Sequence, residues 1–242
     1  MVMGTVFPKI LVTIPCRSME ELESKDDELG ELREIILEHY ENSSECCLYF
    51  TFPTEKGYGN AIKKSWMQNP GFDCYVLIDN DFAMPPEQVT RLISKVLYEG
   101  FDCVVGARQN RLGSGSPLRG IVSRTFNLLI RFIFSTGLSE HFSGFRAYSA
   151  EFVKWALPEC NESHWMFQPE STIVSQALNL KVCEVPIDYN SQLRPTKISR
   201  LPKDAMDIIP GLIRLIREWK FGVFDFIGLK IRKKNWEVLE EE

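Results

Sequence analysis

The 242-residue sequence has few of the residues on which zinc enzymes and many hydrolases depend. Its three histidines, His39, His141 and His164, are scattered without metal-ligand spacing, so surface or packing positions are expected for them. No Gly-x-Ser-x-Gly, P-loop or cysteine-nucleophile motif is present. The sequence therefore gives no support for a zinc site, a nucleophile elbow or a Walker-type phosphate loop.

Disulfide spacing, a signal peptide and a membrane-spanning run are also lacking. The seven cysteines are odd in number and show no Cys-x-x-Cys, which favours a reduced, cytosolic compartment. The apolar start is short and runs straight into a strand, so no signal peptide is expected. The most apolar long segment, Leu118 to Leu138, contains three arginines that would be costly in a bilayer. A net charge of −5 argues against bulk nucleic-acid binding.

What the sequence does contain is an alternation of strand-like and helix-like segments. Apolar runs predict strands at 9–14, 46–52, 74–78, 102–105 and 181–187. Amphipathic stretches predict helices at 29–40, 61–67, 87–98, 118–134, 164–176 and 204–234. The acidic segment 18–30 is expected to be a surface loop, and Ser143 to Arg146 to open a turn. This order predicts an α/β domain with a mainly parallel sheet covered on both faces.

Two aspartates follow directly after the strand at 74–78. A buried strand cannot hold both Asp79 and Asp81, so the pair is expected at the carboxyl edge of the sheet, where ligands of open α/β sheets bind. Two hard oxygen ligands there suit Mg²⁺ or Mn²⁺, which in turn hold phosphates. The alternative is a loop with two solvated aspartates, and the tripeptide alone does not decide between them.

A glycine-rich turn precedes the second predicted helix. Gly57-x-Gly59 superficially matches a dinucleotide fingerprint, but Ile62 occupies the third glycine position. We therefore expect a tight turn that lets the backbone approach a ligand, with Lys56 supplying charge, or else a turn with no ligand role.

Several cations occur in segments with apolar or aromatic residues, where a charge needs a partner. Arg108 ends the fourth predicted strand, on the same edge as the aspartates, and an arginine there can bind phosphate oxygens in a bidentate way. Phosphate binding is favoured over internal ion pairs for Arg119, Arg131, Arg146, Arg194 and Lys197. For Glu170, at a predicted helix start, a catalytic role and a favourable interaction with the helix dipole remain equal alternatives.

The motifs form an ordered series that resembles the family-2 glycosyltransferases with a GT-A fold, in particular the branch of dolichyl- or polyprenyl-phosphate mannose synthases. The similarity runs from about Lys9 to Arg200. The residues that carry it are Lys56-Gly57-Tyr58-Gly59-Asn60-Ala61, Asp79-Asn80-Asp81, Pro85-Pro86-Glu87, Asp102 to Arg108, Arg119 with Ser123, Ser143-Gly144-Phe145-Arg146, Phe167-Gln168-Pro169-Glu170, Glu184-Val185-Pro186-Ile187, and Arg194 with Lys197.

The resemblance implies a role for each of these groups. Asp79 and Asp81 would hold the divalent metal against the diphosphate of a nucleotide sugar, with Arg108 as a further catalytic residue. The nucleotide sugar, most simply GDP-mannose, would be bound by Pro15, Lys56, Gly57, Gly59, Asp79 and Asn80. The phosphate of a polyprenyl or dolichyl acceptor would be bound by Arg119, Ser123, Arg131, Arg146, Arg194 and Lys197.

Some positions depart from the family pattern. Pro15-Cys16-Arg17-Ser18-Met19-Glu20 replaces the usual Pro-x-x-Asn-Glu opening, and Ala83 stands where a metal-binding Gln is common. Glu140 stands where an Asp usually precedes the Ser-Gly-Phe-Arg motif. A UDP-sugar donor, a different acceptor, or a nucleotide-sugar-binding partner subunit without activity are the alternatives. A sugar nucleotidyltransferase is disfavoured, because no glycine-rich opening follows Ile14.

The expected organisation is a GT-A domain at 1–203 and an amphipathic helical extension at 204–242. The extension contains apolar residues such as Leu212, Leu215 and Phe224 among cations such as Arg214 and Lys230, which suits a membrane surface. We therefore expect a peripheral enzyme at the cytoplasmic face of the membrane, with no nucleic-acid partner. The alternative is that the extension packs on its own domain or on a second subunit. The sequence does not specify an oligomeric state.

Overall fold

A single six-stranded sheet organises the chain in the computed structural model, which describes residues 8–41, 47–109, 117–189 and 201–220. The strand order is β2-β1-β3-β5-β4-β6, and β5 is antiparallel to both of its neighbours while the other pairs are parallel. This confirms the predicted GT-A α/β fold. The strands are β1 (Lys9–Thr13), β2 (Cys47–Thr51), β3 (Cys74–Leu77), β4 (Cys103–Arg108), β5 (Arg146–Ser149) and β6 (Val182–Ile187).

Seven α-helices flank this sheet in the described part of the chain. They are α1 (Met19–Glu23), α2 (Asp26–Glu41), α3 (Tyr58–Gln68), α4 (Val89–Leu97), α5 (Pro117–Phe134), α6 (Phe167–Ala177) and α7 (Leu201–Leu215). Short 3-10 or π turns occur at Pro86–Gln88, Phe152–Ala156, Leu157–Glu159 and Ile216–Lys220. No described helix is long and apolar enough to cross a membrane.

The loop predicted at 18–30 was wrong, because α1 and the start of α2 occupy it. The Ser18 hydroxyl accepts a hydrogen bond from the Glu21 amide at 3.4 Å, and the Glu21 carboxylate accepts one from the Arg17 amide at 2.9 Å. This reciprocal pattern resembles a capping box, whose signature Ser18-x-x-Glu21 is present in the sequence. The sequence analysis missed this helix-start signature because the acidic composition of segment 18–30 favoured a surface loop.

The strand β5 was also missed, since the segment from Ser143 was expected to be a turn. Only four residues long, β5 lies between β3 and β4 and pairs with both. Its first residue, Arg146, is fully buried. A buried charge at the start of so short a strand hides the apolar pattern by which strands are normally recognised.

Each face of the sheet has its own hydrophobic core. On one face Trp66 of α3 is fully buried, and its ring lies 5.1 Å from that of Tyr148 and 5.6 Å from that of Tyr75. The Trp66 indole also donates a hydrogen bond to the Thr13 hydroxyl at 2.7 Å, so its only polar atom is satisfied. This residue therefore fastens α3 to β1, β3 and β5.

The described part of the C-terminal tail belongs to a third cluster rather than to a separate layer. Leu212 and Leu215 of α7 are buried against Ile130 of α5 and Met166. The Arg214 guanidinium pairs with Glu162 at 2.8 Å and with Glu170 at 3.0 Å. The division at 203/204 stays a prediction, but these three residues face the domain and not a lipid surface.

We predict that Trp66→Ala lowers the free energy of unfolding by about 3–5 kcal/mol, because it removes a large buried ring and a hydrogen bond. Urea denaturation followed by circular dichroism measures this. Met67→Ala is the matched control on the same helix, since Met67 is 68% exposed, and a change within about 0.5 kcal/mol is expected. Equal losses in the two variants would contradict the assigned core.

Candidate functional site

The carboxyl ends of β1, β3 and β4 meet at one edge of the sheet, because these strands run in the same direction. Pro15 follows β1 there and is half-buried. Asp79, Asn80 and Asp81 follow β3, and Arg108 is the last residue of β4. The topology thus brings three distant parts of the chain to one edge, namely Pro15, the Asp79–Asp81 segment and Arg108.

A tight turn carries the two aspartates. The Phe82 amide donates to the Asp79 carbonyl oxygen at 3.2 Å, and Phe82 has a φ of 45°, a region that bulky residues rarely adopt. The Phe82 side chain is buried in the core, which holds this backbone in place. The amide of the buried Ala83 donates to the Asp81 carboxylate at 3.2 Å, so this residue supports the site through its backbone.

The two carboxylates have different surroundings. Asp79 is 8% exposed, whereas Asp81 is partly exposed. The Tyr58 hydroxyl donates to Asp79 Oδ1 at 2.8 Å, and burial together with this carboxylate raises the pKa of Tyr58 well above its ordinary value. A Cβ at position 144 would overlap the Asp79 carboxylate, so a larger residue than Gly144 would force this carboxylate to shift.

Gly57 and Gly59 make close approaches to protein backbone, and their predicted role in nucleotide binding stays a prediction. A Cβ at Gly57 would lie 2.6 Å from the Ser163 carbonyl oxygen, and one at Gly59 would lie 2.6 Å from that of Glu162. Gly57 also has a φ of 96°. The two glycines therefore seat the start of α3 on segment 162–164. The neighbouring Lys56 is exposed, and its ligand role stays a prediction.

Arg108 is held by a buried carboxylate that the sequence analysis did not pair with it. Its Nε donates to Glu140 at 2.8 Å, with Glu140 fully buried and the Arg108 side chain 14% exposed. The Arg108 guanidinium also lies over the Tyr189 ring at 5.4 Å. Burial lowers the pKa of Arg108 from its ordinary value, while Tyr189, Asp79 and Asp81 oppose this, so the guanidinium stays charged. The positive charge of Arg108 therefore interacts electrostatically with the carboxylates of both Asp79 and Asp81.

The carboxylate oxygens predicted to bind Mg²⁺ or Mn²⁺ at this edge are those of the two aspartates. Among the described residues, no group of three or more His, Cys, Asp or Glu side chains could hold a metal ion. Asp79 and Asp81 thus offer a pair of carboxylates at most. That number suits Mg²⁺, which is commonly bound through one or two carboxylates and completed by substrate phosphates and water.

The predicted acceptor residues divide into three groups. Arg194 and Lys197 lie outside the described residues, and of Arg119 only the helical backbone is described. Ser123 is half-buried on α5, and Arg131 is exposed on the same helix. Arg131 lines a cavity of about 210 Å³ together with Arg124, Asn127, Leu128 and Ser139. Phosphate binding by Ser123 and Arg131 stays a prediction, and Arg124 is an additional cation that the sequence analysis had not included.

Arg146 does not belong with these residues. It is fully buried, and its guanidinium donates to the carbonyl oxygens of Ser143 and His141 and to the hydroxyls of Ser171 and Thr172. Four of its five N–H groups are thereby occupied inside the core. Because no part of the side chain is exposed to an acceptor, its predicted phosphate role is wrong, and it ties loop 141–143 to α6 instead.

Two other residues have structural roles. His141 is fully buried, and its ring lies between the Thr136 hydroxyl at 2.7 Å and the Asn127 amide oxygen at 3.2 Å. This is one of the packing positions that were expected for the histidines. Glu170 accepts from the Asn161 and Glu162 amides and pairs with Arg214, while burial raises its pKa. Of the two alternatives for Glu170, these contacts support the structural one.

Comparisons with known proteins agree with this architecture. The family model described as Glycosyl transferase family 2 matches residues 25–155. The chain is 26% identical over 166 residues to a dolichyl-phosphate beta-glucosyltransferase of Trichomonas vaginalis, covering 65% of this chain and 49% of that protein. It is 30% identical over 131 residues to the polyprenol monophosphomannose synthase of Mycolicibacterium smegmatis, covering 52% and 49%.

A solved structure supports the fold. The glucosyl-3-phosphoglycerate synthase of Mycobacterium tuberculosis, in complex with Mn²⁺, uridine diphosphate and glucosyl-3-phosphoglycerate, matches with a TM-score of 0.56 and 17% identity. The match covers 86% of this chain and 79% of that one. Curated relatives are longer, since this chain spans 26%, 49% and 62% of three of them.

We predict that Glu140→Gln lowers the free energy of unfolding by about 2–4 kcal/mol, because Arg108 then loses the carboxylate that balances its buried charge. Thermal and urea denaturation measure this. Glu99→Gln is the control, since the Lys95–Glu99 pair is exposed and its loss should leave the melting temperature unchanged. A Glu140→Gln variant as stable as the parent protein would show that the pair does not hold Arg108.

Proposed function

This chain belongs to glycosyl transferase family 2, and from that premise we propose that it transfers a hexosyl group from a nucleotide-diphosphate sugar to a polyprenyl or dolichyl phosphate. The observation that carries the proposal is the meeting of Asp79, Asp81 and Arg108 at one sheet edge. Carboxylates suited to a metal and a cation suited to a diphosphate are the groups that such a transfer needs.

The chemistry requires little from a general base. A phosphate acceptor is already anionic at neutral pH, so it can attack the anomeric carbon directly and invert its configuration. The main task is to stabilise the departing nucleoside diphosphate. Arg108, oriented by Glu140 and by the Tyr189 ring, is the residue we assign to that charge.

Asp79 and Asp81 would hold the divalent ion, Mg²⁺ or Mn²⁺. When bound, the ion would neutralise charge on the diphosphate oxygens. The partly exposed Asp81 is the more accessible ligand, and the buried Asp79 supports the nucleotide side of the site. The Mn²⁺ present with uridine diphosphate in the mycobacterial glucosyl-3-phosphoglycerate synthase is consistent with this assignment.

GDP-mannose remains the donor that the sequence resemblance favours, and UDP-glucose is the alternative donor. The two similar relatives are named for glucosyl and for mannosyl transfer, so their names support the chemical class and not one sugar. A direct comparison of the two donors is therefore the deciding measurement.

The cavity on α5 is the best candidate for the acceptor phosphate among the described residues. Arg124 and Arg131 supply two exposed cations at its wall, and Ser139 at the wall adjoins the Glu140 that holds Arg108. An anion there would be near the loop that orients the donor side of the site. Arg119 precedes these residues on the same helix.

The same helix supplies a surface for peripheral membrane binding. Ile121, Leu128 and Phe132 are 60%, 63% and 83% exposed, and their spacing places them within about 40° of one another around the helix axis. Arg124 and Arg131 lie along one side of this stripe, as suits anionic headgroups. The exposed Ile209 and Ile213 of α7 add apolar area, whereas Leu212, Leu215 and Arg214 of the predicted lipid-facing tail are turned inward.

We predict that the protein releases nucleoside diphosphate from GDP-mannose or UDP-glucose only when a prenyl phosphate and Mg²⁺ or Mn²⁺ are present. Asp81→Asn should lower the rate by a factor of a hundred or more, on the order of the loss of one transition-state electrostatic group, while leaving the melting temperature within a few degrees. A luminescent diphosphate assay with both donors measures this. No release from either donor would favour a binding subunit without activity.

We predict that Phe132→Ser reduces binding to vesicles containing anionic lipid by roughly tenfold. Phe132 is the most exposed of the apolar side chains described on α5, at 83%. Cosedimentation at two salt concentrations measures this. Tyr98→Ser is the control, since Tyr98 is 65% exposed at the C-terminal end of α4 and is not a residue of α5. Truncation of α7 is not a suitable test, because it would uncover the core around Met166. Equal loss in both variants would argue against the α5 surface.

A further inference from the structure

Tyr58 belongs to the Lys56–Ala61 motif, and its contact with Asp79 was not among the roles that the family resemblance implied. It is the first residue of α3, and its hydroxyl donates to Asp79 Oδ1 at 2.8 Å. Its ring is stacked on that of Trp165, with centroids 4.4 Å apart and planes inclined by 22°. The phenol therefore reaches the carboxylate from a ring that is itself supported on one face.

The glycines on either side of Tyr58 make this stack possible. Gly57 and Gly59 let the start of α3 lie directly on the backbone of residues 162–164, and the Asn60 amide donates to the Ser163 carbonyl oxygen at 3.2 Å. Trp165 follows that backbone segment immediately. The close approach that the glycines permit thus places Tyr58 against Trp165 and within hydrogen-bond distance of Asp79.

A second acceptor lies near the Tyr58 hydroxyl, so the direction of its proton has to be decided. In the amide orientation that lets Gln168 donate to the Phe142 carbonyl oxygen at 2.9 Å, the Gln168 side-chain oxygen faces Tyr58 at 3.0 Å. An ionised carboxylate is a stronger acceptor than an amide oxygen, and the contact with Asp79 is shorter. The single phenol proton therefore goes to Asp79. In the other amide orientation the Gln168 nitrogen donates to the Tyr58 hydroxyl at 3.0 Å, and the phenol proton is again directed to Asp79.

The backbone of Gly144 also lies against the Asp79 carboxylate. Gly144 leaves space for Asp79 only because it has no Cβ, and Arg146 ties the preceding Ser143 carbonyl to the core. A carboxylate held by a hydroxyl at one oxygen and confined by a backbone wall has little freedom to rotate.

We propose that Tyr58 is a positioning residue for Asp79: its hydroxyl, held by the stack on Trp165, fixes the carboxylate in the orientation that binds a metal–nucleoside diphosphate complex. The inference rests on the proposed function of Asp79. It assigns the aromatic residue of the Lys56-Gly57-Tyr58-Gly59 turn a role in ligand affinity, with no direct contact between Tyr58 and the ligand.

Tyr58→Phe is the informative variant, because it removes one oxygen and retains the ring and its stack. Calorimetric titration with GDP and with UDP, each in the presence of Mn²⁺, should show binding weakened by roughly ten- to a hundredfold, the range for a lost hydrogen bond to a charged group. In turnover assays the half-saturating Mn²⁺ concentration should rise by a comparable factor. Trp165→Leu should weaken binding in the same direction, and Trp165→Phe should restore most of it.

Tyr75→Phe is the matched control. The Tyr75 hydroxyl donates to the Asn69 carbonyl oxygen at 3.1 Å and accepts from the Phe72 amide, away from the aspartates. Its loss should lower the melting temperature without altering nucleotide binding, which is what a purely structural role of Tyr58 would also produce.

The outcomes separate the inference from the function on which it rests. If the wild-type protein binds a nucleoside diphosphate with Mn²⁺ and Tyr58→Phe binds it equally well, the positioning role is wrong and the proposed function stands. If the wild type binds neither GDP nor UDP with Mn²⁺, both are overturned. Weaker binding by Tyr58→Phe with unchanged binding by Tyr75→Phe supports the inference.

Discussion

The site depends on the confinement of the Asp79 carboxylate between a hydroxyl and a glycine backbone. A Cβ at Gly144 would force the Asp79 carboxylate to move, and the Tyr58 hydroxyl donates to the same carboxylate. The loop that carries Gly144 is held in turn by Arg146, whose buried guanidinium ties it to α6. Burying the charge of Arg146 lowers the stability of the fold unless its N–H groups are hydrogen-bonded. The hydrogen bonds of Arg146 therefore also fix the loop that packs against Asp79.

A second constraint concerns how charge is distributed at the sheet edge. The Arg108 guanidinium is largely buried, and without Glu140 its charge would be balanced by those of Asp79 and Asp81. Because the Nε of Arg108 donates to Glu140, the guanidinium has a counterion in addition to the two aspartates. A site with one dedicated counterion and two further carboxylates is suited to receive a metal and a diphosphate together.

Several sequence predictions depended on local patterns and were met. The buried run before Asp79 predicted β3, the alternation of elements predicted the mainly parallel sheet, and the order of motifs indicated the family. The phosphate role of Arg146 was wrong, because a residue type has more than one use and this arginine satisfies its charge within the core. Gly57 and Gly59 approach protein backbone, and a ligand role for them stays a prediction. A glycine or an arginine in a motif does not reveal what it will face.

The sequence by itself determined which segments end at the functional edge, because strand termini, turns and hydrophobic runs are encoded by neighbouring residues. It also determined which functional groups occur at that edge, namely two carboxylates and a cation. Only the tertiary structure decided the partners: Arg108 with Glu140 across 32 positions, and Tyr58 with Asp79 across 21. Such pairs arise where distant segments converge, and their energies depend on burial and distance, which no local pattern specifies.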